Sequence, residues 1–260
     1  MADQFKYTNK LADKHVLIIG GSSGIGYGVA EGALEHGARV TISSSNPQRC
    51  SDAVEKLKKA YPSAVDRVVG YAASMGDEQT LEANIEKLFE QTGKVDHVVY
   101  TAGDSLAMIP IKEVTLGPLK QAGMVRYFAP ILVAKVAIKY MESSTASSIT
   151  FTTGSVSEKP LDGWSVVNGY ATALQGTTRG LALDLKPIRV NLVSPGVINT
   201  ALFGITDEAK KEEMFKPWVA KMATGAVGQV EDVAEAYLYA MKDKNLTGSM
   251  ISSNGGALIM

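Results

Sequence analysis

One cysteine, three histidines, two tryptophans and no long apolar run are spread over 260 residues, and each scarcity removes a class of protein. With Cys50 alone there is no intrachain disulfide and no paired-cysteine metal site. His15, His36 and His97 lie far apart with no zinc-ligand spacing, so no metal centre is expected. Charge of either sign is also not in excess: 26 Lys and Arg face 27 Asp and Glu, scattered along the chain, which leaves no basic field for nucleic acid or anionic lipid. Residues 1–14 are polar without a signal-peptide core. No stretch approaches the roughly 18 consecutive apolar residues that a membrane helix needs. The expectation is a soluble, cytoplasmic protein that binds neither nucleic acid nor membrane.

What is present is 45% hydrophobic residues, enough for one sizeable core. Apolar, β-branched runs at 16–19, 39–43, 67–71, 97–101, 148–152, 189–193 and 250–252 alternate with amphipathic patterns at 25–35, 50–60, 78–90, 121–141, 166–184 and 231–241. Fully apolar strands alternating with helices predict a doubly wound α/β fold of Rossmann type, with a seven-stranded parallel sheet covered on both faces. Short connections and the absence of repeats predict a single dinucleotide-binding domain over 1–260. Only the segment from 199 to 224 breaks the rhythm, and a substrate lid is expected over about 197–225.

Directly after the first strand comes Gly20-Gly21-Ser22-Ser23-Gly24-Ile25-Gly26, opening a helix. Glycines there let the backbone approach a pyrophosphate, whose charge faces the free N–H groups of the helix N-terminus, so a dinucleotide is expected. At the end of the second strand a carboxylate would accept bonds from an unphosphorylated ribose and repel a 2′-phosphate. The chain has none there. Ser43, Ser44, Ser45 and, past Asn46-Pro47-Gln48, Arg49 supply hydroxyls and a cation instead, either a phosphate site for NADP(H) or a polar surface turn.

This spacing resembles that of the short-chain dehydrogenase/reductase family: Gly20, Gly24 and Gly26 match its Thr-Gly-x-x-x-Gly-x-Gly, with Ile19 in place of the threonine. Thr101-Ala102-Gly103 resembles its Asn-Ala-Gly, Arg189-Val190-Asn191 leads into Ser194-Pro195-Gly196, and Asn254-Gly255-Gly256 resembles its Asp-Gly-Gly. The resemblance implies coenzyme contacts from Ala102, Gly103, Pro195, Gly196, Val197 and Thr200. It also places Ser74 where the family usually has an adenine-contacting Asp. A homodimer or homotetramer is implied in the same way, and the apolar stripe at 130–141 would suit its interface.

The resemblance places Tyr170 at the family's active-site tyrosine, but the lysine expected four residues on is Leu174. Without that cation a phenol near its ordinary pKa of about 10 is poorly matched to proton transfer at neutral pH. Tyr170 then either orients a substrate or packs against the coenzyme. Gly154 falls near the family serine, flanked by the hydroxyls of Thr153 and Ser155. Arg126 falls at or beside the relay asparagine, as a structural ion-pair partner or as a substrate group. Asp162 and Trp164, in Pro160-Leu161-Asp162-Gly163-Trp164, are either an anion and an aromatic wall for a cationic substrate or a solvent-facing turn with a packed indole.

A ketone needs hydride and proton, whereas a protonated imine needs hydride alone, so the lost lysine points toward iminium reduction. The helix carrying Arg126 and the Gly163-Trp164 loop are also similar to fungal secondary-metabolism members of the family, including reductases that double as Diels–Alder catalysts in prenylated indole alkaloid pathways. An acidic residue and an arginine are implicated there, for which Asp162 and Arg126 are the nearest matches. An NADP(H)-dependent oxidoreductase acting on C=N or C=O of a small natural-product intermediate is expected. A cyclase or isomerase using the coenzyme as scaffold, or a coenzyme-sensing protein without turnover, are the alternatives.

Overall fold

The computed structural model describes residues 6–200 and 208–260. Seven strands form one sheet in the order β3-β2-β1-β4-β5-β6-β7, every neighbouring pair parallel. They are β1 (His15–Ile19), β2 (Arg39–Ser44), β3 (Val68–Ala72), β4 (His97–Tyr100), β5 (Ser148–Thr152), β6 (Arg189–Pro195) and β7 (Met250–Ser253). Each of the seven expected strands is present, with ends shifted by at most two residues. Strands β1 and β4 are buried along their whole length, as strands covered on both faces must be.

One face of the sheet packs α1 (Gly24–Glu35), α2 (Pro47–Ala60) and α8 (Val230–Lys242) around Val16, Ile18 and Val99. The other packs α3 (Leu81–Thr92), α5 (Ala129–Ala137) and α6 (Ser165–Asp184) around Leu17, Val98 and Ile149. Alternate residues of one strand therefore feed two cores, which fixes the register: a slip by one position would exchange every side chain between them. The strand order reverses between β1 and β4, and in open parallel sheets ligands bind at that crevice, beyond the carboxyl ends of the strands.

Two segments depart from the expected pattern. The helix expected over 121–141 starts earlier, as α4 (Leu116–Gly123), widens into a π-helical turn at Met124–Phe128 and continues as α5. Pro130 accounts for the widening, because it has no N–H for the carbonyl of Arg126 four residues back and its ring crowds that carbonyl. Ala129 N–H reaches back to the Met124 carbonyl, and the buried Tyr100 hydroxyl donates to the Val125 carbonyl at 2.6 Å. The second departure is α7 (Glu208–Val219), within the region expected to be an irregular lid; residues 201–207 of that lid lie outside the described residues. Among the described residues no helix is long and apolar enough to cross a membrane.

Candidate coenzyme and active site

A cavity of about 1070 Å³ opens at the strand-order reversal. That is at or above the top of the usual range for small-ligand pockets, about 300–1,000 Å³, so it has room for a dinucleotide with a second molecule beside it. All the expected coenzyme residues line it: Gly20, Ser22, Ser23, Gly24, Ile25 and Gly26 from the β1–α1 turn, Ser43, Ser44, Ser45 and Arg49 from the β2–α2 turn, Ser74 after β3, Ala102 and Gly103 after β4, and Pro195, Gly196, Val197 and Thr200 after β6.

The β1–α1 turn fits a phosphate group on its own geometry. Gly20 has φ +95°, and a Cβ there would sit 2.4 Å from the Ala102 nitrogen, so the two loops meet as bare backbone. Ser23 caps α1 with no side-chain bond and the first turn holds no acidic residue, so neither the cap nor that turn competes with an anion for the first N–H groups of the helix. In the β2–α2 turn the Ser22 hydroxyl donates to Ser44 Oγ at 3.0 Å, and Asn46 caps α2 by accepting from Arg49 N–H at 3.0 Å. That cap fixes the start of the Arg49 side chain, whose exposed guanidinium reaches Ser45 Oγ at 3.5 Å. Ser74 is held by its carbonyl, which accepts from Asn84 Nδ2 at 3.0 Å.

At the other end, Arg126 projects from the π-helical turn into the cavity. Its Nε donates to Asp104 Oδ1 at 3.1 Å, and Nη2 donates to the Asp104 carbonyl. The side chain lies against the preceding residue: a Cβ on Gly103 would stand 2.9 Å from Nη2 and 3.0 Å from Nη1, so a larger residue there would require the guanidinium to shift. Of the two readings left open for Arg126, the ion pair is present, and it borders the cavity. Asp104 directly follows the Thr101-Ala102-Gly103 motif yet did not stand out in the sequence; among the described residues it is the only acidic one lining the cavity.

Tyr170 borders the cavity, but its hydroxyl donates to the Leu119 carbonyl of α4 at 2.9 Å. Its ring packs against Tyr127 and Phe128, with centroids 5.5 and 5.9 Å away. Burial first, and the neighbouring Tyr127 second, push its phenol above the ordinary tyrosine range, the opposite of what a neutral-pH proton donor needs. Leu174, one turn on, is 1% exposed and belongs to the core, with no cation in the lysine's place. Val167 and Ala171, likewise one turn apart, also line the cavity and carry no polar group. Thr153 lines it with its hydroxyl donated to the Ala171 carbonyl at 2.8 Å, and Ser155 lines it at the start of a short 3₁₀ turn.

Asp162 does not join this group. Gly163 has φ +74°, and in that turn Asp162 is exposed while its neighbours Leu161 and Trp164 line the cavity. For Asp162 the solvent-facing turn therefore holds, and the carboxylate in the cavity is that of Asp104. Trp218, Lys221 and Met222, at the end of α7 and just after it, and Leu258 and Met260 near the C-terminus also line the cavity. Trp218, Lys221 and Met222 lie within the lid expected over about 197–225 but were not singled out individually, and Leu258 and Met260 follow the Asn254-Gly255-Gly256 motif without a mark of their own.

Residues 7–260 match the sequence profile of the SDR-like Rossmann domain. The short-chain dehydrogenase/reductase fsr5 of Gibberella fujikuroi is 44% identical over 264 residues, covering 100% of both chains. The solved structure of the MalC reductase/Diels-Alderase from Malbranchea aurantiaca superposes with a TM-score of 0.91 at 39% identity, covering 97% of this chain and 99% of that one. A small-chain dehydrogenase solved in complex with NADPH is 27% identical with a TM-score of 0.73, over 95% of this chain and 100% of that one.

Proposed function

This chain belongs to the short-chain dehydrogenase/reductase family, and from that premise we propose that it is an NADP(H)-dependent oxidoreductase of natural-product biosynthesis that reduces a C=N (iminium) or C=O bond without a tyrosine–lysine couple. The β1–α1 turn would hold the pyrophosphate and the β2–α2 turn the 2′-phosphate, with Arg49 as its cation. The NADPH complex of a 27% identical relative supports that choice of coenzyme. When bound, the nicotinamide supplies the hydride.

The observation that carries the reading is the exchange of cations at the reacting end. Tyr170 is committed to a backbone carbonyl, and of the cations lining the cavity Arg126 is the one against the Thr101-Ala102-Gly103 loop, held by Asp104. A guanidinium stays protonated, so it orients and polarises a bound oxygen or nitrogen through hydrogen bonds but does not release a proton at neutral pH. Such a site suits a substrate that needs little proton transfer. The reading is tested by following NADPH absorbance with purified protein and matched cyclic iminium and ketone panels. Faster iminium turnover is expected, and faster ketone turnover would overturn the iminium preference.

A second reading is favoured by the 39% identical reductase/Diels-Alderase: the same cavity shapes a cyclisation with the coenzyme as scaffold or co-reductant. With the coenzyme as scaffold it would show as product formed with no change at the nicotinamide wavelength, and with the coenzyme as co-reductant as cyclised product formed alongside NADPH oxidation. A homodimer or homotetramer belongs to the same proposal, supported by the exposed Ile138 beyond α5 and Leu183 on α6.

A further inference from the structure

Both tryptophans of the chain line the cavity, Trp164 at the start of α6 and Trp218 near the end of α7. Both are only partly buried and neither belongs to either core. An indole is among the largest apolar groups a chain can bury, so two of them facing a cavity are apolar surface kept available for something else. Leu161, Leu258 and Met260 share that position, lining the cavity and appearing in neither core, and Met222 lines it from a buried site.

The wall these residues form is fastened in place. Lys159 Nζ donates to the Ala257 carbonyl at 3.1 Å and also to the Met260 carbonyl, tying the C-terminal segment to the loop before α6. On the far side Thr224 N–H donates to the Gly255 carbonyl at 3.1 Å, tying the segment after α7 to the same tail. The Lys221 ammonium lies 5.9 Å from the Trp218 ring centroid. Arg126 stands in the same cavity, already joined to Asp104.

We infer that, given the glycine-loop half of the cavity holds the coenzyme as proposed above, the other half binds a bulky, largely apolar aromatic or polycyclic molecule that presents one carbonyl or imine to Arg126. A small hydrophilic carbonyl compound would leave the two partly buried indoles, Leu161, Leu258 and the exposed Met260 facing water. A flat ring system covers the indole faces, and the flexible thioethers adapt to its edge.

The test uses 9,10-phenanthrenequinone as a flat apolar dicarbonyl probe and cyclohexanone as a small one, added to the full-length protein with NADP⁺. Binding is followed by tryptophan fluorescence and calorimetry. Because both tryptophans line the cavity, the quinone should quench their emission saturably, binding about tenfold or more tightly than cyclohexanone. Trp164→Ala and Trp218→Ala should each weaken it about three- to tenfold, as expected for losing a ring contact. Trp164→Phe and Trp218→Phe, which keep a ring, should lose less, and circular dichroism checks that all four variants fold. Unsaturable quenching, equal affinity for the two probes, or wild-type affinity in both alanine variants would overturn the inference. NADPH binding is titrated in the same samples. If it persists while the quinone fails, the apolar site alone is wrong; if it is absent while the quinone binds, the coenzyme reading is wrong and the apolar site stands.

Discussion

Replacing Arg49 should separate the two nicotinamide coenzymes. Arg49 is the only cation in the β2–α2 turn, exposed, and set by the Asn46 cap. A 2′-phosphate placed there carries up to about two negative charges. One unit pair at about 4 Å is worth about 1 kcal/mol in bulk water and about 4 kcal/mol at a protein surface. Exposure puts Arg49 in the lower part of that range, and the lost charge-assisted hydrogen bond is included in it. Arg49→Ala should therefore cost about 1.5–3 kcal/mol, roughly ten- to 150-fold in the Kd for NADPH. NADH has no 2′-phosphate to lose and should change by less than about twofold. Arg49→Lys keeps the charge without the planar fork and should fall between. The assay is calorimetric titration of both coenzymes at two ionic strengths; salt should erode the wild-type preference for NADPH, because the pair is solvent-exposed. Equal loss for both coenzymes, or a wild-type protein that binds NADH more tightly, would refute the phosphate site.

Arg126→Gln should lower kcat about 100- to 1,000-fold on whichever probe of the ketone and iminium panels turns over, the cost of removing one preorganised donor. Asp104→Asn should cost about tenfold in kcat, with NADPH affinity unchanged in both; a loss confined to coenzyme binding would contradict the placement. Tyr170→Phe should cost less than about tenfold, since its hydroxyl is donated to Leu119, whereas a loss of about 100-fold or more would restore it as the proton donor. His97 is fully buried, with its ring nitrogen 2.8 Å from Ser148 Oγ, and burial pushes its pKa from 6.5 down to about 3. The unfolded chain therefore binds a proton that the folded one refuses between these values, so stability is full above pH 6.5 and falls as pH drops toward 3. Urea unfolding should show a loss of about 2 kcal/mol between about pH 7.5 and about pH 5, and an unchanged stability over that window would sink the linkage.

Strands were legible because a parallel strand buried on both faces needs uninterrupted apolar, β-branched residues, as in Val16-Leu17-Ile18-Ile19. The glycine turn was legible for a related reason: close approach of backbone allows few residues besides glycine, and a Cβ at Gly20 would stand 2.4 Å from the Ala102 nitrogen. The reacting end was harder. The π-helical turn is hidden in an apolar helix, and only Pro130 betrays it. The Asp-Gly pair at Asp162 lies in the right loop, but a turn can send its side chain either way, and this one sends it to solvent. Asp104 was one residue past a matched motif, and nothing local marks it as the partner of an arginine 22 positions later.

The pairing of Arg126 with Asp104 bears on which substrate the cavity tolerates. A lone guanidinium beside the reacting carbon would repel an iminium and favour an oxygen that gains negative charge. With Asp104 Oδ1 3.1 Å from its Nε, the two charges nearly cancel at a distance, while N–H groups of the fork remain to hold a nearby acceptor. Both partners are about one third exposed, at 30% and 37%, so the pair is not sealed off and its own attraction is modest. Its value lies in direction: the bonds from Nε to Asp104 Oδ1 and from Nη2 to the Asp104 carbonyl orient the guanidinium beside Gly103. In the proposed reaction a site of that kind would position a reacting bond without supplying a proton, and Tyr170, its phenol pushed above the ordinary tyrosine range by burial, would be poorly suited to supply one.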